Sequence, residues 1–250
     1  MATRLYMAAL GQSNGSTPLY NDIPFSASWD STASAVRRRL EENKILNTGS
    51  ATVTVTKTVT GPKNFLIVQF QLIGLQAQTI AGELKGQIRT QEGSANADAS
   101  TQTIVRVYDP TTQTFRGTLL SPHTSATNGS AGTEGYEWST TATNRKVPSG
   151  WSGSGKSLSS VTCGDGDVLV VEIGARADEP ATTTRNLSLL ISQSATGTDA
   201  AENETDTTAN DSWLEFSQTL LLGADIELGQ KFGPDVPLVG QIWPRGNGRG

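Results

Sequence analysis

The chain is poor in charge, cysteine and histidine, and it has no long apolar run. Only 17% of its 250 residues are charged, against about 25% in an ordinary domain. No stretch approaches the ~18 consecutive apolar residues that a membrane-crossing helix needs, so no transmembrane partner surface is expected. A single cysteine, Cys163, excludes an intramolecular disulfide framework and a cysteine-based zinc cluster. A single histidine, His123, leaves little of the usual residue for zinc ligation or proton relay. The 19 basic and 24 acidic residues leave a net charge of −5, which argues against the basic face of a nucleic-acid binder. The N-terminal stretch MATRLYMAALGQSNG has an apolar part broken at Gly11, too short and polar for a secretory signal. What remains is a soluble protein of one large or two small domains.

What is abundant is hydroxyl. The chain holds 33 Thr and 24 Ser, so its surface is polar without being charged. The dominant pattern has period two. Ala51–Thr60 reads ATVTVTKTVT, with Val53, Val55 and Val59 on one face and threonines on the other, as a pleated, half-buried strand requires. Asn64–Ile73 (NFLIVQFQLI) is apolar on both phases, the pattern of a strand buried on both faces. In Gln78–Thr90, Ile80, Leu84 and Ile88 recur every four residues, and Gly82 and Gly86 disfavour a helix. Thr103–Tyr108, Phe115–Leu120, Leu158–Thr162, Asp167–Gly174, Arg185–Ser192 and Ser212–Leu222 complete the set. Turn signals fall at Asp109-Pro110, Ser121-Pro122 and Gly164-Asp165-Gly166. The one expected helix is short, over Ala33–Asn43 (ASAVRRRLEEN), with Ser31 or Thr32 as its N-cap.

Many short strands separated by turns predict an all-β sandwich or barrel. Glu92–Ser100, His123–Trp151 and Ala195–Asp211 then become long Ser/Thr/Gly/Asn-rich loops. Residues 1–222 form the sandwich domain, with an N-terminal arm and the short helix within 1–45. Residues 223–250 form an extended C-terminal tail, whose prolines forbid a long helix or central strand. The tail's large apolar groups, Phe232, Leu238, Ile242 and Trp243 among them, call for a docking surface. Both the protein's own sandwich and another subunit remain open as that surface.

Several motifs suggest chemistry. Gly150-Trp151-Ser152-Gly153-Ser154-Gly155-Lys156-Ser157 fits the phosphate-binding pattern G-x-x-x-x-G-K-S, but no strand precedes it and no helix follows it, so no nucleotide partner is expected. Gly164-Asp165-Gly166-Asp167 offers two carboxylates to calcium, yet reads better as a hairpin turn. Cys163 is a small core or turn residue with no evident base. Glu134, Glu137, Glu172 and Glu215 are the carboxylates available for glycoside hydrolysis, with Glu172 and Glu215 expected to face outward from strands. Arg37-Arg38-Arg39 before Glu41-Glu42 pairs at helical spacing as a solvated face, or as a patch for a neighbouring subunit. Tyr136, Trp138 and Trp151 offer ring faces to a sugar, or pack their loop onto the sandwich. No catalytic residue, cofactor or metal site is assigned.

Five stretches in order, FSASWDSTASAVRRRL (Phe25–Leu40), QTIAGELKGQIRTQE (Gln78–Glu92), FRGTLL (Phe115–Leu120), NRKVP…LSSVTCGDGDVLVVEIGARA (Asn144–Ala177) and SWLEFSQTLLL (Ser212–Leu222), resemble β-sandwich structural proteins of tailed bacteriophages. That resemblance implies a jelly-roll-like antiparallel β-sandwich with one short helix and extended terminal arms. It also implies a non-enzymatic virion component, assembled in a bacterial cytoplasm. The expected role is a capsid decoration (cement) protein, an oligomer bound to the major capsid protein or other virion subunits. Contacts are expected through Phe232, Leu238, Ile242 and Trp243, and through Arg37 and Arg38. The alternatives are a tail adaptor, fibre or host glycan-binding module using Tyr136, Trp138 and Trp151, and a glycan-degrading enzyme.

Overall fold

The fold was obtained as a computed structural model, which describes residues 2–9, 19–44, 49–57, 62–124, 137–151, 153, 155–178, 184–193, 197–201 and 210–223. The strands run in chain order. β1 (Thr3–Met7) and β2 (Val36–Glu41) precede a long run formed by β3 (Gly49–Lys57), β4 (Lys63–Leu75), β5 (Gln78–Ile80) and β6 (Glu83–Glu92). β7 (Ala99–Asp109), β8 (Thr114–Thr124), β9 (Thr143–Lys146), β10 (Lys156–Ser157) and β11 (Val161–Cys163) follow. β12 (Asp167–Ala177), β13 (Arg185–Gln193), β14 (Thr198–Asp199), β15 (Asn210–Asp211) and β16 (Trp213–Phe216) complete the fold. Among the described residues, Ala95–Ala97 form the single helical turn, of 3-10 type, and no helix is long and apolar enough to cross a membrane.

Hydrogen bonding gives two antiparallel layers, β3-β13-β6-β9 and β4-β12-β7-β8. Taking these eight strands in chain order, one layer holds the first, eighth, third and sixth, and the other the second, seventh, fourth and fifth. That alternation is the wrapping of a jelly roll. The inward phases of both layers meet in one core, which includes Val53, Phe70, Ile88, Val105, Val171 and Leu189. One side of the sandwich is closed. β16 pairs beside β13 on the same edge of β6, β1 pairs with β16 and β2, and β2 pairs in parallel with β4.

The helix expected over Ala33–Asn43 is instead largely strand β2. Val36 and Leu40 lie on the core side, while Arg37 and Arg39 take the opposite face. Arg38 stands in the inward phase and hides the alternation from view. Tertiary pairing with β4 overrides local helix preference. The pairs Arg37–Glu41 and Arg38–Glu42 therefore do not form by helical spacing, and Arg39 instead meets Glu41 at 3.3 Å along the strand.

Other expectations move as well. Gln78–Thr90 is not one strand. It breaks at Gly82, whose φ is +87° and where a Cβ would lie 2.5 Å from Ser217 Oγ; β5 joins β11 and β6 joins the large sheet. β8 continues through Ser121-Pro122 and includes His123, because proline is tolerated on an edge strand. The polar stretch before Trp151 contains β9, and Glu92 and Ala99–Ser100 belong to strands. Thr3–Met7 are not a free arm, since they form β1 within the sheet. Leu222 bridges Leu75 and Gly223 N donates to Gly74 O, so the described body extends to Gly223. The tail residues Phe232, Leu238, Ile242 and Trp243 lie outside the described residues.

Candidate functional site

The densest buried polar group lies on the outer face of the β4-β12-β7 layer, beneath residues 19–30. Two of the bulky apolar residues in this proline-containing stretch are its deepest anchors. Ile23 is buried against Tyr108, Val168 and Val170, and Trp29 against Leu66 and Ile104. Around these anchors the sheet holds the strap by its backbone. Gln71 grips Tyr20 twice, accepting from its N–H at 2.9 Å and donating to its carbonyl at 2.8 Å. Arg37 donates to Ile23 O and stands 4.3 Å over the Phe25 ring. Arg106 donates to Pro24 O and stacks 3.7 Å over Phe115.

Glu172 is the hub. Its carboxylate accepts from Ser26 N, Trp29 Nε1, Gln69 Nε2 and Arg106 Nη2, the last two at 3.1 and 2.8 Å. Glu172 is fully buried, which corrects its expected exposure. It does leave the core through the outward phase of β12, but the strap covers it. Burial lowers the Arg106 pKa, partly offset by Glu172. A buried ion pair with its remaining acceptors filled fixes geometry more than it adds stability.

The opposite layer carries a second network. Arg4 stacks 4.2 Å over Trp213 and binds Asp199 and Glu215; Lys44 joins Asp199 and Asp211 at 2.9 and 2.7 Å, and Lys85 joins Glu215 at 2.9 Å. Glu215 thus faces outward as expected, but it is paired. Burial by itself would raise Asp199; hydrogen bonds from Lys44 and Arg4 outweigh it and hold the carboxyl below its ordinary value. The expected loop Ala195–Asp211 therefore includes Asp199 and Asp211 as anchors.

At one end of the sandwich Glu92 is buried and accepts from Ala99 N at 3.2 Å. Burial pushes its pKa up to about 8; the Ala99 bond opposes this, and the Glu137 and Asp98 charges add to it. Glu137 is raised too, chiefly by burial. Glu92 continues the inward series Leu84, Ile88 by one more step of four, and that spacing is its signal in the sequence. Trp138 caps the same end of the core, 2% exposed, with its indole N–H on Thr101 Oγ1. It has no ring face for a sugar. Trp151 is half-buried, donates to Gly86 O at 3.0 Å, and lies under Lys146. Tyr136 and Glu134 lie outside the described residues.

The phosphate-binding pattern falls into strand. Lys156 and Ser157 form β10, paired with Leu84 and Glu83 of β6, so no helix N-terminus opens there. The Gly164–Asp167 segment is the expected turn: Gly166 has φ +82°, and Asp167 accepts from Gly164 N and from Arg116. Cys163 is buried, bonded through sulfur to Gln76 O and Gln78 O, and burial pushes its thiol up. Arg38 is half-buried and burial lowers its pKa. Among the described residues, no group of three or more His, Cys, Asp or Glu is placed to hold a metal ion.

No protein-family model matches the chain, and no curated protein matches it. Among solved structures, a CocE/NonD family hydrolase from Staphylococcus aureus aligns with 89% of this chain at 9% identity and a TM-score of 0.27. This chain spans 35% of that protein's length. A likeness this distant leaves the chemistry of the present chain to its own residues.

Proposed function

We propose that this chain is a non-enzymatic structural protein of a tailed-phage particle, a capsid decoration protein that binds and stabilises the head shell. The strap is the observation that carries the reading. Residues 20–29 are bonded to side chains of β2, β4, β7 and β12, so four strands are tied across their outer face. A sandwich tied in this way resists peeling, which suits a part that bears load on a pressurised shell. The resemblance supports the same reading. The stretch Phe25–Leu40 supplies Ser26, Trp29 and Arg37, and the stretch ending at Ala177 supplies the Glu172 that receives the first two. The apolar tail beyond Gly223 would then dock on the major capsid protein or another virion subunit. A glycan-binding module has less support, since Trp138 is buried and the Trp151 N–H is bonded.

Quantitative mass spectrometry of purified particles, with heads and tails separated, tests the proposal. Copies in the hundreds in the head fraction are the expected result, by the stoichiometry of a shell-covering protein. A few copies in the tail fraction would move the protein to an adaptor or fibre, and absence from both would sink the virion reading.

A further inference from the structure

Sheet edges are the places where a β-protein invites a partner, because an edge strand presents unpaired N–H and C=O groups. Proteins ordinarily blunt such edges with bulges, proline, charge or shortness. Here β3 and β8 end the sheet path, and β9 and β10 flank β6. β8 is blunted: its register against β7 shifts three times, and it contains Arg116 and Pro122. β9 and β10 are four and two residues long. β3 carries none of these devices. Its nine residues pair with β13 from Gly49↔Gln193 to Lys57↔Arg185 without a shift. It has no proline, and its one charge, Lys57, is at its end. Among the described residues, no strand pairs with its other edge.

The side chains of that edge read the same in both directions. Thr52-Val53-Thr54-Val55-Thr56 is a palindrome centred on Thr54. Val53 and Val55 are buried in the core, and the three threonines are exposed on the outer face. An antiparallel second copy, related by a two-fold axis at Thr54, sets Val53 against Val55 of the second copy. It sets Thr52 against Thr56 and Thr54 against Thr54. Apolar meets apolar on the inner face and hydroxyl meets hydroxyl on the outer face, the self-complementarity of an isologous interface. Lys57 falls opposite Ala51, so no like charges face each other.

We propose that the free edge of β3 pairs with β3 of a second copy, joining one layer of each sandwich into a continuous sheet. The inference stands apart from the particle assignment. A strand pair of this length lies at the small end of specific interfaces, below about 1,200 Å², so the dimer is weak and concentration-dependent.

Sedimentation equilibrium of the full chain, over concentrations bracketing micromolar dissociation constants, tests the pairing alongside Thr54→Lys and Thr54→Glu. Thr54 is exposed and its hydroxyl meets Ser188 Oγ at 2.8 Å, so both variants are expected to melt as the parent does. The parent should dimerise. Each variant alone should lose about tenfold or more in dimer affinity, because it opposes its own charge across the axis. An equimolar mixture of the two should dimerise again, which only self-opposition of residue 54 produces. A parent that stays monomeric throughout would overturn the proposal and point to an edge covered within the same chain, for instance by residues 224–250. Dimers indifferent to both variants, or a mixture that stays monomeric, would overturn it equally.

Discussion

Burial at the end of β6 keeps a proton on Glu92 at neutral pH. Its folded pKa of about 8 stands above the ordinary 4.5, so the folded chain holds this proton where the unfolded chain has released it. The stability it contributes is complete below the ordinary value, declines as pH rises through the window between the two, and is gone above about 8. The ceiling of the effect is about 5 kcal/mol. Glu92→Gln, which has no proton to lose, should therefore gain stability relative to the parent between pH 5.5 and 8.5, as urea unfolding at the two pH values would show; a constant gap would refute the assignment. Asp199 and Glu215 act in the other sense. Their lowered pKa values give stability that is present above the ordinary carboxylate range and is lost as pH falls through the folded values. Glu172 is a third case. Glu172→Gln keeps the shape but leaves Arg106 buried without its counter-charge, which should remove about 3–5 kcal/mol. Chemical denaturation measures that loss, and proteolysis within residues 19–30 should accelerate as the strap loosens.

At the scale of elements, the pleat was legible and the exceptions were not. Val53 and Val55, Leu187 and Leu189, and the doubly apolar β4 announced their strands, because period two maps directly onto which side chains are buried. β2 did not, since three consecutive arginines mask an alternation whose apolar members are only Val36 and Leu40. Its charges also match helical spacing, and only the distant strand β4 decides between the two. The strap was equally hidden. Nothing local in NDIPFSASW foretells that Glu172, some 140 residues on, receives Ser26 and Trp29. Of the candidate contact residues, Trp138 takes the second of its two expected roles and packs into the core, and the tail anchors lie outside the described residues. The bulge of β4 at Ile67, opposite Ile173 and Gly174 of β12, shows how closely strap and sheet approach. The register shifts between Ile173 and Gly174, and a Cβ at Gly174 would fall 2.0 Å from Phe65 O and 2.8 Å from Trp29 Cζ3. Backbone cannot yield that distance, so Gly174→Ala should destabilise by several kcal/mol, on the order of an overpacked core. A melting temperature within a degree or two of the parent's would contradict it, given about 2–4 °C per kcal/mol at this size.

For the molecule as a whole, the closing contact joins the two ends of the described chain. Thr3–Tyr6 of β1 lie against Trp213–Phe216 of β16, and β16 in turn occupies an edge of β6. A chain ending after Gly223 retains this lock and should unfold in one cooperative transition, while losing particle binding if the tail is the docking arm. A chain ending after Ser212 lacks β16 and should show no cooperative transition by calorimetry. If it melts like the longer one, β16 is dispensable and the closure described above is not structural. The same contact sets the order of events during synthesis. β1 is made before the other described strands, and its partner β16 follows roughly 10–40 s later at elongation rates of about 5–20 residues per second. During that interval β1 has only its short pairing with β2 at Tyr6 and Met7 open to it, and the side of the sandwich that β16 fills stays open. The last residues of the body, rather than its core, therefore decide when this protein first becomes a closed object.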